Sequence, residues 1–486
     1  TGRTGRTETG LVEEPVGEAD LTPVMHWTAG PDLSYDGLAQ AVLLVTPPDL
    51  TYAAAVHVLQ AVLDRHDMLR ARLTDKLVVP AEGAVRASEL LSQVRDAVLD
   101  DQLAAAVARL DPAAGRMLQA VWFTDTGRLL LVAHHLVVDG VSWRIIMSDL
   151  AEAWQSGRAL PRGGTSFRTW SRLLGEEAHR PGRVRELDWW TEALGSASPL
   201  IERTLDADAP LREQKLVLPP GITGPLLTEV PAAYHAAVPD VLLTALALAA
   251  AAWRERRGDL TGRSLLVGLE GHGREEDIAE GVDLSGTVGW FTTFHPVAVD
   301  PGPLDVGEAL SGGPAAGIAL KRIKEQLRAV PEHGLGYGLL RHLNPDTAPA
   351  LEKLPQPQVL FNYLGRFTAS GATDQPWELA PEAPMLRVPA PTAFVGLEIN
   401  AVAVEEAGGV RLRVSASWPD GFLTEPEAAD LLVLWERALH GLARHAEAAP
   451  TGGLTPSDLP LVELTQEDID DFENDFDDSE NDHDDF

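Results

Sequence analysis

Cysteine is absent from the 486 residues, which removes disulfides, thiolate zinc sites and cysteine nucleophiles together and leaves a cytoplasmic protein as the default expectation. Long hydrophobic runs are absent as well. The richest, "VLLTALALAAAAW" from Val241 to Trp253, falls short of the ~18 apolar residues of a membrane span and predicts a buried helix. The opening "TGRTGRTETGLVEEP" has no apolar core, so no secretory signal is read there. It also lacks an initiating Met, which suggests a piece of a longer polypeptide. Basic residues are scarce: 39 Lys and Arg face 73 Asp and Glu, for a net charge of -34. Nucleic acid and anionic membrane surfaces would be repelled by such a chain. Part of the charge is local, because the final "QEDIDDFENDFDDSENDHDDF" holds 12 acidic residues and no Lys or Arg. A like-charge block of this kind reads as a solvated tail or, through Phe472, Phe476 and Phe486, as a segment that docks a partner.

What is present points to a globular chain, 45% hydrophobic and 23% charged, long enough for two large domains. From about Ala19, "DLSYDGLAQAVLLVTPPDL" predicts a strand and a turn, and "TYAAAVHVLQAVLDRHDMLRARL" a helix by its apolar spacing. "LSQVRDAVLDDQLAAAVARL" predicts another helix, and "RMLQAVWFTDTGRLLLVAHH" a strand pair around the turn signal "TDTG". A helix follows from Ser142 through Trp154, then a loop "SGRALPRGGTSFRTW" and a helix at "RVRELDWWTEAL". The composition shift at "LDADAPLRE" reads as an inter-domain connection. Beyond it come a helix at Val241 to Arg254, strands at "SLLVGLE", "VGWFTTFHPVAVD" and "PQVLFNYLG", and a helix at "GIALKRIKEQLRAV". A strand pair at "GLEINAVAVEEAGGVRLRVSASW" and a last helix, "EPEAADLLVLWERALHGLARHA", complete the set. Strands and helices mix without strict alternation, so the fold class is α/β of the mixed α+β kind, in two lobes with a site between them.

Two polar bursts end oily strands. In "LLLVAHHLVVDGVSWRII", His134 and His135 are neighbours in an extended segment and must face opposite sides, so they do not chelate one ion. Gly140 permits a tight turn, and a helix start at Ser142 would aim its amides at the histidine and hold it neutral, as a base requires. A packed strand-end histidine with Asp139 as its internal partner or cap fits the same residues, and spacing alone leaves both open. In "SLLVGLEGHGREED", Glu270 directly follows a strand and could be partly desolvated, with His272 and Arg274 set off by glycines. An exposed loop with a Glu to Arg contact is the plainer alternative. The glycines of "EHGLGYGLL" do not have the dinucleotide-loop spacing and follow a helix, which rules that site out. Asn362 and Tyr363 in "VLFNYLGRF" follow a strand run and can donate hydrogen bonds, or else pack at a bulge.

Taken together, these segments resemble the condensation-domain superfamily of non-ribosomal peptide synthetases, and within it the epimerization domains. "HHLVVDGVSW" resembles the superfamily's H-H-x-x-x-D-G core, and "LEGHGRE", "GTVGWFTTFHPV", "IKEQLRAVPEHGLGYGLLRHL", "FNYLGRF" and "AYHAAVPDVLLTAL" carry the subtype, from about Asp20 to Ala449. The resemblance implies a V-shaped, two-lobed pseudo-dimer similar to chloramphenicol acetyltransferase, with a central tunnel. It implies epimerization, L to D, at the Cα of an aminoacyl or peptidyl thioester by deprotonation and reprotonation through an enolate. No cofactor of its own is then needed, and the substrate arrives on the phosphopantetheine of an upstream peptidyl carrier protein. His135 and Glu270 become the acid and base, Asn362 and Tyr363 stabilise the enolate, and His134, Asp139 and Gly140 are structural, with Asp139 paired to an arginine that holds the loop. No metal is implied. The chain divides into a linker at 1–18, lobes at 19–203 and 204–450, and a linker with acidic tail at 451–486, the tail a candidate dock for a downstream synthetase. At the start, "PVMHWTA" departs from the family's P-I-Q-x-W-F at Met25 and Thr28, which touches substrate or partner detail. A condensation domain would share the first motif without requiring "EGHGRE" or "FNYLG", and a non-catalytic recruitment domain usually loses the histidine motif.

Overall fold

A computed structural model describes residues 15–29, 35, 37–195, 197–259, 262–368, 375–383, 388, 395–406, 408–448, 453–459, 464–466, 468 and 469. The first half holds strands β1 (Gly17–Ala19), β2 (Ala39–Val45), β3 (Arg72–Leu73), β4 (Leu77–Val79), β5 (Leu91–Val94), β6 (Leu118–Phe123) and β7 (Arg128–His134). Its main sheet has the order β2-β7-β6-β5, and a small sheet has the order β1-β4-β3. Every residue of β6 and all but the first of β7 are buried, because both faces of this sheet are covered. Leu118, Ala120, Trp122, Leu129, Leu131 and Ala133 enter one core. Their neighbours Val121, Phe123, Leu130 and Val132 enter another. An unbroken apolar run in the sequence therefore resolves into two alternating sets.

The second half holds β8 (Leu211–Leu218), β9 (Leu265–Gly271), β10 (Thr293–Val299), β11 (Val359–Thr368), β12 (Leu397–Glu406) and β13 (Gly409–Pro419), in one sheet of order β10-β9-β11-β12-β13-β8. Strand β11 runs parallel to both of its neighbours, whereas the remaining pairs are antiparallel. The helix Val238–Arg256 is buried continuously from Asp240 to Arg254, as its all-round apolar sequence demands. It packs in the largest core with helices Pro314–Arg328 and Glu425–Ala448. Among the described residues no single helix is long and apolar enough to cross a membrane.

The mixed α/β expectation agrees with this architecture, while several boundaries differ. Leu91–Val94 is a strand rather than the start of a helix, because Asp96 takes a left-handed φ of 51° and the helix begins only at Leu99. The loop expected at 156–170 ends earlier, since Ser166 caps the helix Phe167–Glu177 by accepting a hydrogen bond from the Thr169 amide. Gly17 and Glu18, expected in a linker, pair with Val79 and Val78 in β1. The lobes expected at 19–203 and 204–450 exchange parts: Trp190, Leu194 and Leu200 lie in the second half's core. In return, Val282, Leu284, Val288, Trp290, Phe291 and Trp377 lie in the first half's. Hydrophobic burial, not the composition shift near Leu205, decides these memberships. The acidic end with Phe472, Phe476 and Phe486 lies outside the described residues.

Residues 453–459, expected as linker, fold back on the second half. Lys324, with a fully buried side chain, donates to both oxygens of Asp458 at 2.7 and 2.6 Å and to the Tyr234 carbonyl at 2.9 Å. Burial alone would push the Asp458 carboxyl up, but the bonds from Lys324 and Thr455 hold it below its usual range. Asp458→Ala strands that ammonium and is expected to cost about 2 kcal/mol, read as a lower urea midpoint. Because the Asp458 value is depressed in the fold, its contribution is complete above the ordinary aspartate range and is lost as pH falls through the folded value.

Candidate active site

Strand β7 ends at His134, and the chain then turns through a short 3-10 segment, His135–Val137, before the helix Gly140–Ser156. His134 is almost fully buried. Its Nδ1 accepts from the Leu136 amide at 3.3 Å and its Nε2 lies 3.0 Å from the Tyr35 carbonyl, to which it donates. Both ring nitrogens are thus committed to the backbone. His135 points the other way, against the Trp290 ring with centroids 4.2 Å apart. Trp143 Nε1 donates to Gln40 Oε1 at 2.8 Å, which turns the Gln40 amide nitrogen toward His135 Nε2 at 2.6 Å. The amide donates and the imidazole accepts. Burial lowers the His135 pKa below the ordinary histidine value, opposed in part by its own backbone, the Asp139 charge and the Val138 backbone.

Asp139 caps the helix that follows, with Oδ1 accepting from the Ser142 amide at 2.7 Å and the Ser142 hydroxyl at 2.8 Å. It also reaches the second half, where Oδ2 accepts from the Phe291 amide at 3.1 Å and Oδ1 pairs with Arg274 Nη2 at 3.3 Å. Arg274 in turn donates to the carbonyls of Leu284 and Thr287 at 2.7 and 2.8 Å. One buried aspartate therefore ties the histidine turn to the segment after Glu270. Gly140 does not make the tight turn expected of it: its φ is not in the left-handed region and the turn is made upstream by His135–Val137. Gly273 is the constrained glycine, with φ +67° and a hypothetical Cβ only 1.7 Å from the Phe291 carbonyl oxygen.

Glu270 lies near the end of β9, opposite Phe294 of β10. It opens into a cavity of about 340 Å³ lined also by His135, Gln40, Trp27, Trp290, Asn362, Glu398 and Asn400. Its surface is accessible, but to this walled space. Burial pushes its carboxyl up to about 7, the Glu398 charge adds to the rise, and a hydrogen bond from Asn362 opposes it. The structure thus brings together His135, Glu270 and Asn362 of the residues singled out from the sequence. Tyr363 is not among them: adjacent strand residues face opposite sides, and Tyr363 packs against the second half's core. Gln40, Glu398, Asn400 and Trp290 join the site without having been singled out from the sequence. For Glu398 and Asn400 a signal exists, polar residues two apart in the otherwise apolar "LEINAVAV". At the start of the chain, Trp27 stacks on Phe294 with centroids 4.0 Å apart, and Thr28 lines the cavity, so the departure in "PVMHWTA" reaches the cavity wall.

Among the described residues no group of three or more His, Cys, Asp or Glu could hold a metal ion. A sequence profile of the condensation domain matches residues 39–401, three quarters of the chain, including the cavity-lining residues from Ala39 to Asn400. The chain belongs to the condensation-domain family. This condensation-family chain is 32% identical to one component of the linear gramicidin synthase of Brevibacillus parabrevis, over 96% of its own length and 6% of that protein. It is 34% identical to a second component of the same synthase, over 93% of its length and 9% of the relative. The domain thus spans under a tenth of these large relatives. Among solved structures it is similar to the epimerization domain from the third module of tyrocidine synthetase B, with TM-score 0.72 and 26% identity over 92% of this chain and 99% of that one. The X-domain from teicoplanin biosynthesis shares the fold, with TM-score 0.63 and 20% identity over 91% of this chain and 97% of that one.

Proposed function

We propose that this condensation-family domain epimerizes the Cα of an aminoacyl or peptidyl thioester carried on the phosphopantetheine of a carrier protein. One observation carries the reading: His135 from the first half and Glu270 from the second line one cavity, the imidazole held neutral and the carboxyl able to hold its proton near neutrality. The epimerization domain to which the chain is similar supports it, as do the large peptide synthases that match along nearly its whole length.

The steps balance without a redox partner. His135 Nε2, whose lone pair accepts from the Gln40 amide, gives up that bond and takes the α-proton. The C–H electron pair then moves into the Cα–C bond as the thioester carbonyl becomes an enolate. Sulfur delocalises poorly into that carbonyl, so the α-proton is more acidic than an ester's. Glu270 returns a proton to the opposite face of Cα, the enolate collapses, and the configuration is inverted. Asn362 lies where an amide donor can steady the enolate oxygen, and one well-placed donor contributes about 3 to 4 kcal/mol. The reverse direction uses imidazolium and carboxylate, which differ from the forward pair only in where one proton sits.

That equality fixes the pH dependence. The exchange rate should be bell-shaped, its alkaline limb near pH 7 from Glu270 and its acid limb below the ordinary histidine value from His135. Each limb should fall about tenfold per pH unit beyond its midpoint. The reading is tested with donors of L and of D configuration, each loaded on the carrier protein. Both should converge on one L to D ratio with no added cofactor, and retention of the starting configuration in both would refute it.

A further inference from the structure

The cavity wall made by β9, β11 and β12 carries polar side chains across three neighbouring strands. Register sets Leu360 between Gly268 and Glu398, and two residues further along sets Asn362 beside Asn400. Continuing the same pairing brings Glu270 level with Asn362 on the other side. Asn400 Nδ2 donates to Glu398 Oε1 at 2.7 Å, so Glu398 is held on this wall. Glu270 and Glu398 are the two carboxylates of the cavity, and the described lining residues include no Lys or Arg to compensate either. Two carboxylates in one walled space do not both ionise at ordinary cost.

We infer that Glu398, fixed by Asn400, is a positioning residue whose charge biases Glu270 toward the proton-donating form and leaves His135 to act first as base. This role rests on the proposed epimerization, and it adds a third group to the pair. The groups facing Glu270 are His135 and Gln40 from the first half, Phe294 from β10, Asn362 from β11, and Glu398 with Asn400 from β12. Of these only Glu398 supplies negative charge. The Asn362 amide works against it by bonding the ionised form, and His135 is neutral in the resting site. Burial is the larger influence on Glu270 and Glu398 the next, in the same direction.

The test is a comparison of Glu398→Gln, which keeps an oxygen for Asn400 to bond, with Glu398→Asp, which keeps the charge. In the α-proton exchange assay, Glu398→Gln should move the alkaline limb to lower pH by about one unit and slow exchange at pH 7.5 about five- to tenfold, against only about twofold at pH 6. Glu398→Asp should retain the wild-type limb. Independently of catalysis, the Glu270 carboxyl resonance in 13C-glutamate-labelled protein, assigned through Glu270→Gln, should titrate lower in Glu398→Gln than in wild type. An unmoved titration would overturn the inference. So would an equal loss of rate at every pH, or a loss confined to donors with a free α-amine, which would make Glu398 a contact for the substrate ammonium. Wild-type protein that exchanges no α-proton while Glu270 still titrates lower in Glu398→Gln would sink the epimerization reading and keep the coupling of the two carboxylates.

Discussion

His135→Ala is expected to slow α-proton exchange of a carrier-bound aminoacyl thioester by about 10² to 10⁴-fold, the range a positioned acid-base group supplies. The loss should appear in kcat more than in KM, because the cavity wall is otherwise intact and binding of the donor does not depend on the proton transfer. Glu270→Gln should give a loss of similar size. It keeps an amide that can bond Asn362, but it cannot give up a proton at neutral pH. The two variants should differ in stability. The folded Glu270 carboxyl titrates near 7, above its unfolded value, so the fold loses stability as pH rises from the ordinary glutamate value to about 7 and no further above it. Glu270→Gln should therefore melt higher than wild type at pH 7 and above, and nearly equal to it only below the ordinary glutamate value, at about pH 4, measured by thermal unfolding at each pH. Equal exchange rates for wild type and both variants would remove these residues from the mechanism.

The second large effect concerns Asp139. Its carboxylate makes the helix cap, accepts from the Phe291 amide and pairs with Arg274, all out of solvent. Asp139→Ala leaves a buried guanidinium, the Ser142 and Phe291 amides and the Ser142 hydroxyl without this acceptor, which is expected to cost about 3 to 5 kcal/mol. The loss should be localised first. Residues 272–291 are held to the first half through Asp139, Ser142, Thr165 and the apolar anchors Val288 and Phe291. Hydrogen exchange should show that segment opening in Asp139→Ala while the helix Val238–Arg256 stays protected. Exchange of the substrate α-proton should fall as well, because Trp290 lies within the released segment and Glu270 just before it, and both line the cavity. Uniform protection with unchanged catalysis would show that the pairing is incidental.

The paired histidines are readable in the sequence because one rule, alternation along a strand, separates them: His134 spends both nitrogens on backbone and His135 faces the cavity. The same rule applies to Asn362 and Tyr363, which are also adjacent in a strand, and it sends Tyr363 to the opposite core. Treating the two as one donor pair overlooks that consequence. Glu270 is legible from its place at the end of an oily run, whereas its environment is not. What raises its proton affinity is the cavity and a carboxylate on β12, more than a hundred residues away in sequence. Gln40 is beyond sequence reading for the same reason: its amide is oriented by Trp143, and the indole reaches it only once the helix Gly140–Ser156 packs beside β2. The exchange of segments between halves is hidden too, since "VGWFTTF" reads as a strand of its own half while Trp290 and Phe291 complete the core of the other.

Solvent deuterium is the most direct probe of the central claim that this site moves a proton on and off Cα. An L-configured aminoacyl thioester on its carrier protein, incubated with the domain in deuterium oxide without any acceptor amine, should yield D-configured thioester carrying deuterium at Cα. The label should depend on both His135 and Glu270. A thioester that stays L and unlabelled until an acceptor amine is added, and then forms an amide, would contradict the account and assign the site to peptide-bond formation.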